Sequence, residues 1–144
     1  MKYSLLLALF VSGCAGGHIT QHIQDPGGPD WLEDALYDAS EFWEQHDVDV
    51  FIGDDGIEVG SRDLDEGDFG VCTYEGVFLD EAIPTNKYAV QVAKCVMAHE
   101  IGHSIGLGHT DKGEHLMSPI LYLPSGDDCY WSKEDQAELD AIGP

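Results

Sequence analysis

Apolar residues recur three or four positions apart in residues 31–46, and this spacing predicts an amphipathic helix. Asp30 stands just before the stripe with Glu33 three positions later, a pattern typical of a helix capping box. The stripe consists of Leu32, Ala35, Leu36, Ala39, Phe42 and Trp43. We expect this helix to pack its apolar face against a sheet.

Two more helices are predicted in the second half of the chain. One begins near Thr85 or Asn86 and carries apolar residues at helical spacing into the segment that contains His99. We expect it to be the buried centre of the domain. The other begins at Ser132, with Asp135 three positions later in a second capping-box pattern.

Three short segments predict β-strands. Residues 48–52 and 57–59 are rich in Val and Ile, and the Gly-Asp-Asp-Gly sequence between them is a turn signal. Residues 76–80 form a third short apolar segment shortly before the second predicted helix. The chain has 144 residues, so we expect one globular domain at 31–144, preceded by a short tether at 14–30 that is rich in Gly and Pro.

The charge balance limits the partners that this protein can have. Lys and Arg number 6 and Asp and Glu number 28, so no basic patch can form and nucleic acid is excluded as a natural partner. Such acidity more often serves solubility than recognition, and a preference for basic substrates is the functional alternative. Residues 63–68 crowd carboxylates around a glycine turn, which indicates either an acidic surface loop or a Ca²⁺ site.

An eleven-residue segment in the second half of the chain has the sequence HEIGHSIGLGH. On a helix, His99 and His103 lie four residues apart on one face, so both can reach one metal ion. Glu100 points about 100° from His99 and is placed to act on a water at that metal as a general base. Gly106 can end the helix, because glycine adopts positive φ without a Cβ clash, and the chain can then return His109 to the metal.

This pattern favours a catalytic zinc site over a structural one. Three protein ligands leave one coordination position open, whereas a structural zinc site is closed by four. The alternative is a helix whose histidines pack in the core or face solvent. That interpretation has to explain three potential ligands and a spare carboxylate in one short segment.

The pattern HExxHxxGxxH followed by a methionine resembles the metzincin clan of zinc endopeptidases. Met117, followed by Ser118 and Pro119, is similar to the turn that runs beneath the metal in reprolysins and matrixins, although a lone Met is usually core packing. The resemblance implies an α+β fold of α/β/α type. Its parts are a twisted mixed sheet with an antiparallel edge strand, a backing helix, an active-site helix and a C-terminal helix.

The resemblance also implies an activity and its cofactor. We expect a monomeric endopeptidase with one catalytic Zn²⁺ that hydrolyses a protein or peptide substrate. Two other functions stay open: a non-catalytic zinc-binding surface lipoprotein, which has no need of Glu100, and a nonpeptide zinc hydrolase.

Substrate-binding residues follow from the same resemblance. In metzincins an exposed edge strand before the active-site helix pairs with an extended peptide, which implies this role for Val77, Phe78 and Leu79; the alternative is that these residues are core.

The resemblance also implies that the segment after Met117 forms the wall of the main specificity pocket. Its apolar content predicts an apolar or bulky residue after the scissile bond. The implied wall residues are Ile120, Leu121 and Tyr122. The alternative role of Tyr122 is to stabilise the developing oxyanion by donating a hydrogen bond.

Cysteines allow at most one internal disulfide once Cys14 is set aside, since three remain. The resemblance to reprolysin catalytic domains implies a bridge between Cys72 and Cys129. Cys95 lies one helical turn before His99 and is expected to be a buried free thiol. As a fourth zinc ligand it would close the site to water.

The N-terminus predicts export. A lysine and a short apolar run open the chain, and the run is too short to span a bilayer. Residues 11–14, Val-Ser-Gly-Cys, resemble a bacterial lipobox, which implies removal of a signal peptide at 1–13 and lipidation of Cys14. Ordinary cleavage after Ala15 is the alternative and leaves a freely secreted protein. We expect a cell-envelope lipoprotein, at the outer membrane, or a secreted protein, with the lipid as the only membrane contact.

Overall fold

A computed structural model describes residues 19–143 of the chain. Its helices are α1 (Asp30–Glu44), α2 (Ala89–Ile105) and α3 (Lys133–Ile142), with a short 3-10 turn at Ile83–Thr85 before α2. Its strands are β1 (Ile19–Gln24), β2 (Val48–Gly53), β3 (Glu58–Arg62), β4 (Gly70–Cys72) and β5 (Gly76–Asp80). None of the helices in this part of the chain has the length and apolarity needed to cross a membrane.

The strands form a mixed sheet with one antiparallel edge. β1 and β2 pair in parallel, and β5 lies between β3, which is parallel to it, and β4, which is antiparallel. A parallel bridge between Ile23 and Ile57 connects the two groups, so the strand order is β2-β1-β3-β5-β4. The predicted α+β fold with an antiparallel edge strand is confirmed.

The predicted tether at 14–30 is wrong over residues 19–24, which form β1. This strand pairs residue by residue with β2, from Ile19 opposite Val48 to Gln24 opposite Gly53. Ile23 is buried in the core. The three residues between Ile19 and Ile23 are polar, so the sequence of this segment lacks the apolar pattern that would predict a strand. The Gly-Pro-rich part of the tether lies after the strand. Cys14 and the predicted signal peptide at 1–13 lie outside the described residues.

The predicted substrate-binding edge at Val77, Phe78 and Leu79 is also wrong. These residues match β5 in position, but all three side chains are buried, and strands flank β5 on both sides. The edge belongs to β4, a three-residue strand that folds back through a tight turn in which the backbones of Thr73 and Gly76 bond to each other. The alternative that the apolar residues of β5 are core is the one the structure supports.

Helix α1 packs along α2 and lies behind the candidate site. The indole Nε1 of Trp43 donates a hydrogen bond to the Ala98 carbonyl at 3.1 Å, and this tryptophan is fully buried. The predicted capping box at the start of α1 is not formed. The carbonyl of Pro29 accepts the first backbone bonds instead, and Asp30 is the first helical residue, where its charge favours the helix N-terminus.

Candidate metal centre

The end of α2 brings the third histidine back to the first two. As predicted, α2 stops at Gly106, whose φ of 114° is in the left-handed region, and its N–H bonds to the carbonyls of Gly102 and His103. The chain then reverses and places His109 Nε2 3.1 Å from His103 Nε2. One ligand atom from each of His99, His103 and His109 lies within 4.8 Å of the others.

Backbone carbonyls fix the orientation of two of these rings. His99 Nδ1 donates to the Leu116 carbonyl at 2.7 Å, and His103 Nδ1 donates to the Leu107 carbonyl at 2.8 Å. A carbonyl only accepts, so each ring carries its proton on Nδ1 and leaves Nε2 free to bind a metal. Burial lowers the pKa of His99 to about 4, which keeps this ring neutral and able to bind a metal.

The three nitrogens suit a zinc ion. Zn–N bonds are about 2.0–2.1 Å long, so two nitrogens on one tetrahedral zinc lie roughly 3.3 Å apart. The 3.1 Å separation of His103 and His109 is close to that value. Within the described residues these histidines are the one group placed to share a metal in this way, and the acidic residues 63–68 are not. Calcium binding at 63–68 stays a prediction.

Glu100 lies beside the histidines and is buried, with 5% of its surface exposed. Burial raises its pKa to about 7, and the Asp68 carboxylate adds to the rise. The edge strand passes directly over it: a Cβ on Gly70 would lie 3.0 Å from Glu100 Oε1 and 2.5 Å from a methyl of Val96. Only glycine therefore allows β4 to approach the carboxylate this closely.

Met117 packs against α2 at Gly102, the residue just before His103. Its side chain is fully buried, and it packs so tightly on α2 that a Cβ at Gly102 would lie 2.6 Å from its sulfur. Sequence reasoning did not single out Gly102. A glycine inside a helix costs stability, so its presence between His99 and His103 was the signal that another group packs there.

Asp135 holds this turn in place. Its carboxylate is fully buried and accepts the backbone N–H groups of Leu116, at 2.8 Å, and Met117, at 3.1 Å. The same side chain forms the predicted capping box with Ser132 at the start of α3. The capping-box pattern in the sequence predicts the start of α3, but it does not predict that Asp135 also binds the backbone of the Met117 turn. Through the Leu116 peptide, α3 is connected to the His99 ring.

The predicted disulfide between Cys72 and Cys129 is wrong, and so is the expectation of a free thiol at Cys95. The structure pairs Cys95 with Cys129, with Cα atoms 5.4 Å apart, and leaves Cys72 free. Cys72 lies in edge strand β4 and lines the cleft on the His103 side. Cys129 lies instead against the first turns of α2, where Cys95 is the cysteine within reach.

A cavity of about 90 Å³ opens beside His99 and Glu100. Leu121 and Tyr122 line it, and their role as the wall of a substrate pocket stays a prediction. Ile120 does not, and 44% of its surface is exposed, because the chain turns it away from the cavity.

Comparisons with known proteins agree with this geometry. A family model described as matrixin, a family of zinc peptidases in the metzincin clan, matches residues 15–142. Comparison with curated proteins gives no match. The match covers nearly the whole chain, including the three histidines and the turn at Met117. The chain therefore belongs to the matrixin family and contains a zinc metallopeptidase domain.

Proposed function

We propose that this protein is a zinc-dependent endopeptidase in which Glu100 is the general base. The observation that carries the proposal is the placement of one buried carboxylate beside three convergent histidines and directly under the sheet edge. A non-catalytic zinc protein has no use for such a carboxylate. The edge strand above it favours a peptide over other carbonyl substrates.

The roles of the residues follow from their positions. His99, His103 and His109 would hold the zinc, which when bound polarises the substrate carbonyl and makes the attacking water acidic near neutral pH. Glu100 accepts the proton of that water and returns it to the departing amine. Without metal, burial raises its pKa to about 7, and the positive charge of a bound zinc would favour the ionised form that accepts this proton.

Strand β4 would hold the peptide. Among the described strands it pairs only with β5, so its other backbone edge is free to bond to an extended substrate. Backbone pairing of this kind binds a peptide largely regardless of its sequence, and pockets then select side chains. The close approach of Gly70 to Glu100 supports this, because a peptide paired with the edge would then have its scissile carbonyl next to the base.

The test is chelator-sensitive cleavage of casein and of a fluorogenic peptide panel by the zinc-loaded full chain. Glu100→Gln should retain one zinc per chain but lose 10²-fold or more in kcat/KM, roughly the contribution of general acid–base catalysis. Glu44→Gln, a change at the exposed end of α1, is the matched control. Full activity in Glu100→Gln would refute the mechanism, and ester cleavage without peptide cleavage would favour the nonpeptide hydrolase.

We further propose that the protein is exported and anchored to the cell envelope through a lipid on Cys14. The lipobox-like residues 11–14 support this, and so does the Cys95–Cys129 disulfide, since disulfides persist in oxidising compartments outside the cytoplasm. Labelling cells with a fatty-acid analogue should mark the native protein and not Cys14→Ser. An unlabelled native protein in the culture medium would instead show free secretion.

A further inference from the structure

The cavity beside Glu100 runs along α2, away from the metal ligands. From the helix it is lined by His99 and Glu100 and, one turn earlier, by Cys95 and Val96. One helical turn is about 5.4 Å, so the helix provides a wall of this length between the reacting centre and the far end of the cavity. Leu121 and other residues of the segment between the Met117 turn and α3 form the opposite wall.

The disulfide lies at the end of the α2 wall that is farther from the metal ligands. Cys95 and Cys129 both line the cavity, one from each wall, and both are buried, with 2% and 8% of their surfaces exposed. Because the two walls are covalently joined at this point, they cannot separate to admit a longer group. The position of the bond, one turn from His99, therefore fixes the length of the cavity.

Polar contacts close the structure behind the disulfide as well. Gln91, one turn before Cys95 on α2, donates from Nε2 to the carbonyls of Pro124, at 3.0 Å, and Asp128, at 3.1 Å. Lys94 Nζ donates to the Asp127 carbonyl at 3.1 Å. The segment before Cys129 is thus also bound to α2 beyond the disulfide, which holds this end of the two walls together.

We infer that the Cys95–Cys129 disulfide sets the depth of the pocket for the side chain that follows the scissile bond, and so restricts that residue to short aliphatic types. This inference rests on the proposed peptidase function. A cavity of about 150 Å³ holds a benzene ring. The cavity found here, about 90 Å³, is clearly smaller, so we expect it to accept a branched aliphatic side chain in preference to an aromatic one. The sequence predicts an apolar or bulky residue after the scissile bond, and the size of the cavity narrows this to a small apolar residue.

The test uses the zinc-loaded full chain and peptides that differ only in the residue after the scissile bond. For the native protein, kcat/KM should be at least about tenfold higher with leucine or valine than with phenylalanine or tryptophan. In the variant Cys95→Ala with Cys129→Ala, which removes the bond and both sulfur atoms, the phenylalanine-to-leucine ratio should rise at least tenfold. The matched pair Cys95→Ser with Cys129→Ser removes the bond but fills more space, so its ratio should rise less.

Two results would overturn the inference: a native protein that accepts phenylalanine as well as leucine, or an unchanged ratio in a folded, zinc-bound double-alanine variant. If that variant does not fold, the native series decides alone. Binding of hydroxamates that carry the same side chains probes the pocket without hydrolysis. The aliphatic preference in binding without any peptide cleavage would support the pocket and refute the peptidase function, whereas equal binding of all side chains would refute the pocket.

Discussion

The contact between Gly102 and Met117 makes a quantitative prediction about the packing of Met117 against α2. In Gly102→Ala the new Cβ would lie 2.6 Å from Met117 Sδ, 3.1 Å from Met117 Cε and 3.3 Å from Trp43 Cζ2. The optimal distance between two nonbonded carbon atoms is about 3.5–4.0 Å. The Met117 side chain therefore has to move by roughly 1 Å, although it is fully buried. The substitution therefore disturbs the turn that contains Met117.

Two opposing terms set the size of the effect. Replacing glycine by alanine inside a helix stabilises by about 1 kcal/mol, whereas forcing an extra methyl into a packed core costs about 1–3 kcal/mol. We expect Gly102→Ala to lower the free energy of unfolding by about 1 kcal/mol. For a domain of this size the melting temperature then falls by about 3–5 °C.

A double-mutant cycle separates the two terms. Met117→Ala alone creates a cavity and should cost about 2–5 kcal/mol. In that background the contact with Met117 is gone, and the 3.3 Å approach to Trp43 Cζ2 is all that opposes the helix-propensity gain. Gly102→Ala should therefore become neutral or stabilising, by up to about 1 kcal/mol. Urea unfolding of the four proteins, with and without zinc, measures the coupling. If Gly102→Ala destabilises by the same amount in both backgrounds, the packing argument is refuted.

Three further predictions concern the groups around the site. Asp135→Ala should destabilise by about 2–5 kcal/mol in urea unfolding, because it leaves two buried N–H donors of the Met117 turn unpaired, whereas Asp140→Ala on the exposed face of α3 should cost little. Burial lowers the pKa of His46, so its contribution to stability is complete above the unfolded imidazole pKa of about 6.5 and is lost as pH falls below it. The melting temperature of His46→Gln should fall less steeply with acid, and equal slopes would contradict this. Zinc at about 1,000 times its Kd should raise the free energy of unfolding by about 4 kcal/mol, and a chelator should reverse the gain.

Local patterns in the sequence are enough to predict the helix that contains His99 and His103 and the two elements on either side of it. The end of α2 at Gly106, the capping box at Ser132 and the bounds of β5 each depend on neighbouring residues, and the structure confirms all three. The convergence of the histidines followed from helical geometry and one helix stop. These features were predictable because a short stretch of chain determines them.

The features that were missed depend on distant packing. Strand β4 has three residues, one of them a glycine, and it is positioned by Gly70 lying on Val96 and Glu100 of α2. The cysteine pairing depends on which face of α2 meets the segment before α3, and a family resemblance suggested a different pair. The sequence of a short segment does not indicate which distant residues it will contact across the sheet or on the face of a helix.

The long segment between α2 and α3 connects these observations. Residues 106–132 contain no helix or strand, although structureless loops above about 12–15 residues are uncommon in compact domains. The segment is held at successive points by the ring of His99 on Leu116, by Asp135 on the Met117 turn and by the disulfide to Cys95. Two of these three attachments are on α2, so one helix carries two of the three histidines, the proposed base and the proposed end of the specificity pocket. A substitution that shifts this segment therefore affects metal binding and substrate selection together, whereas a change confined to the outer face of α1 should affect neither.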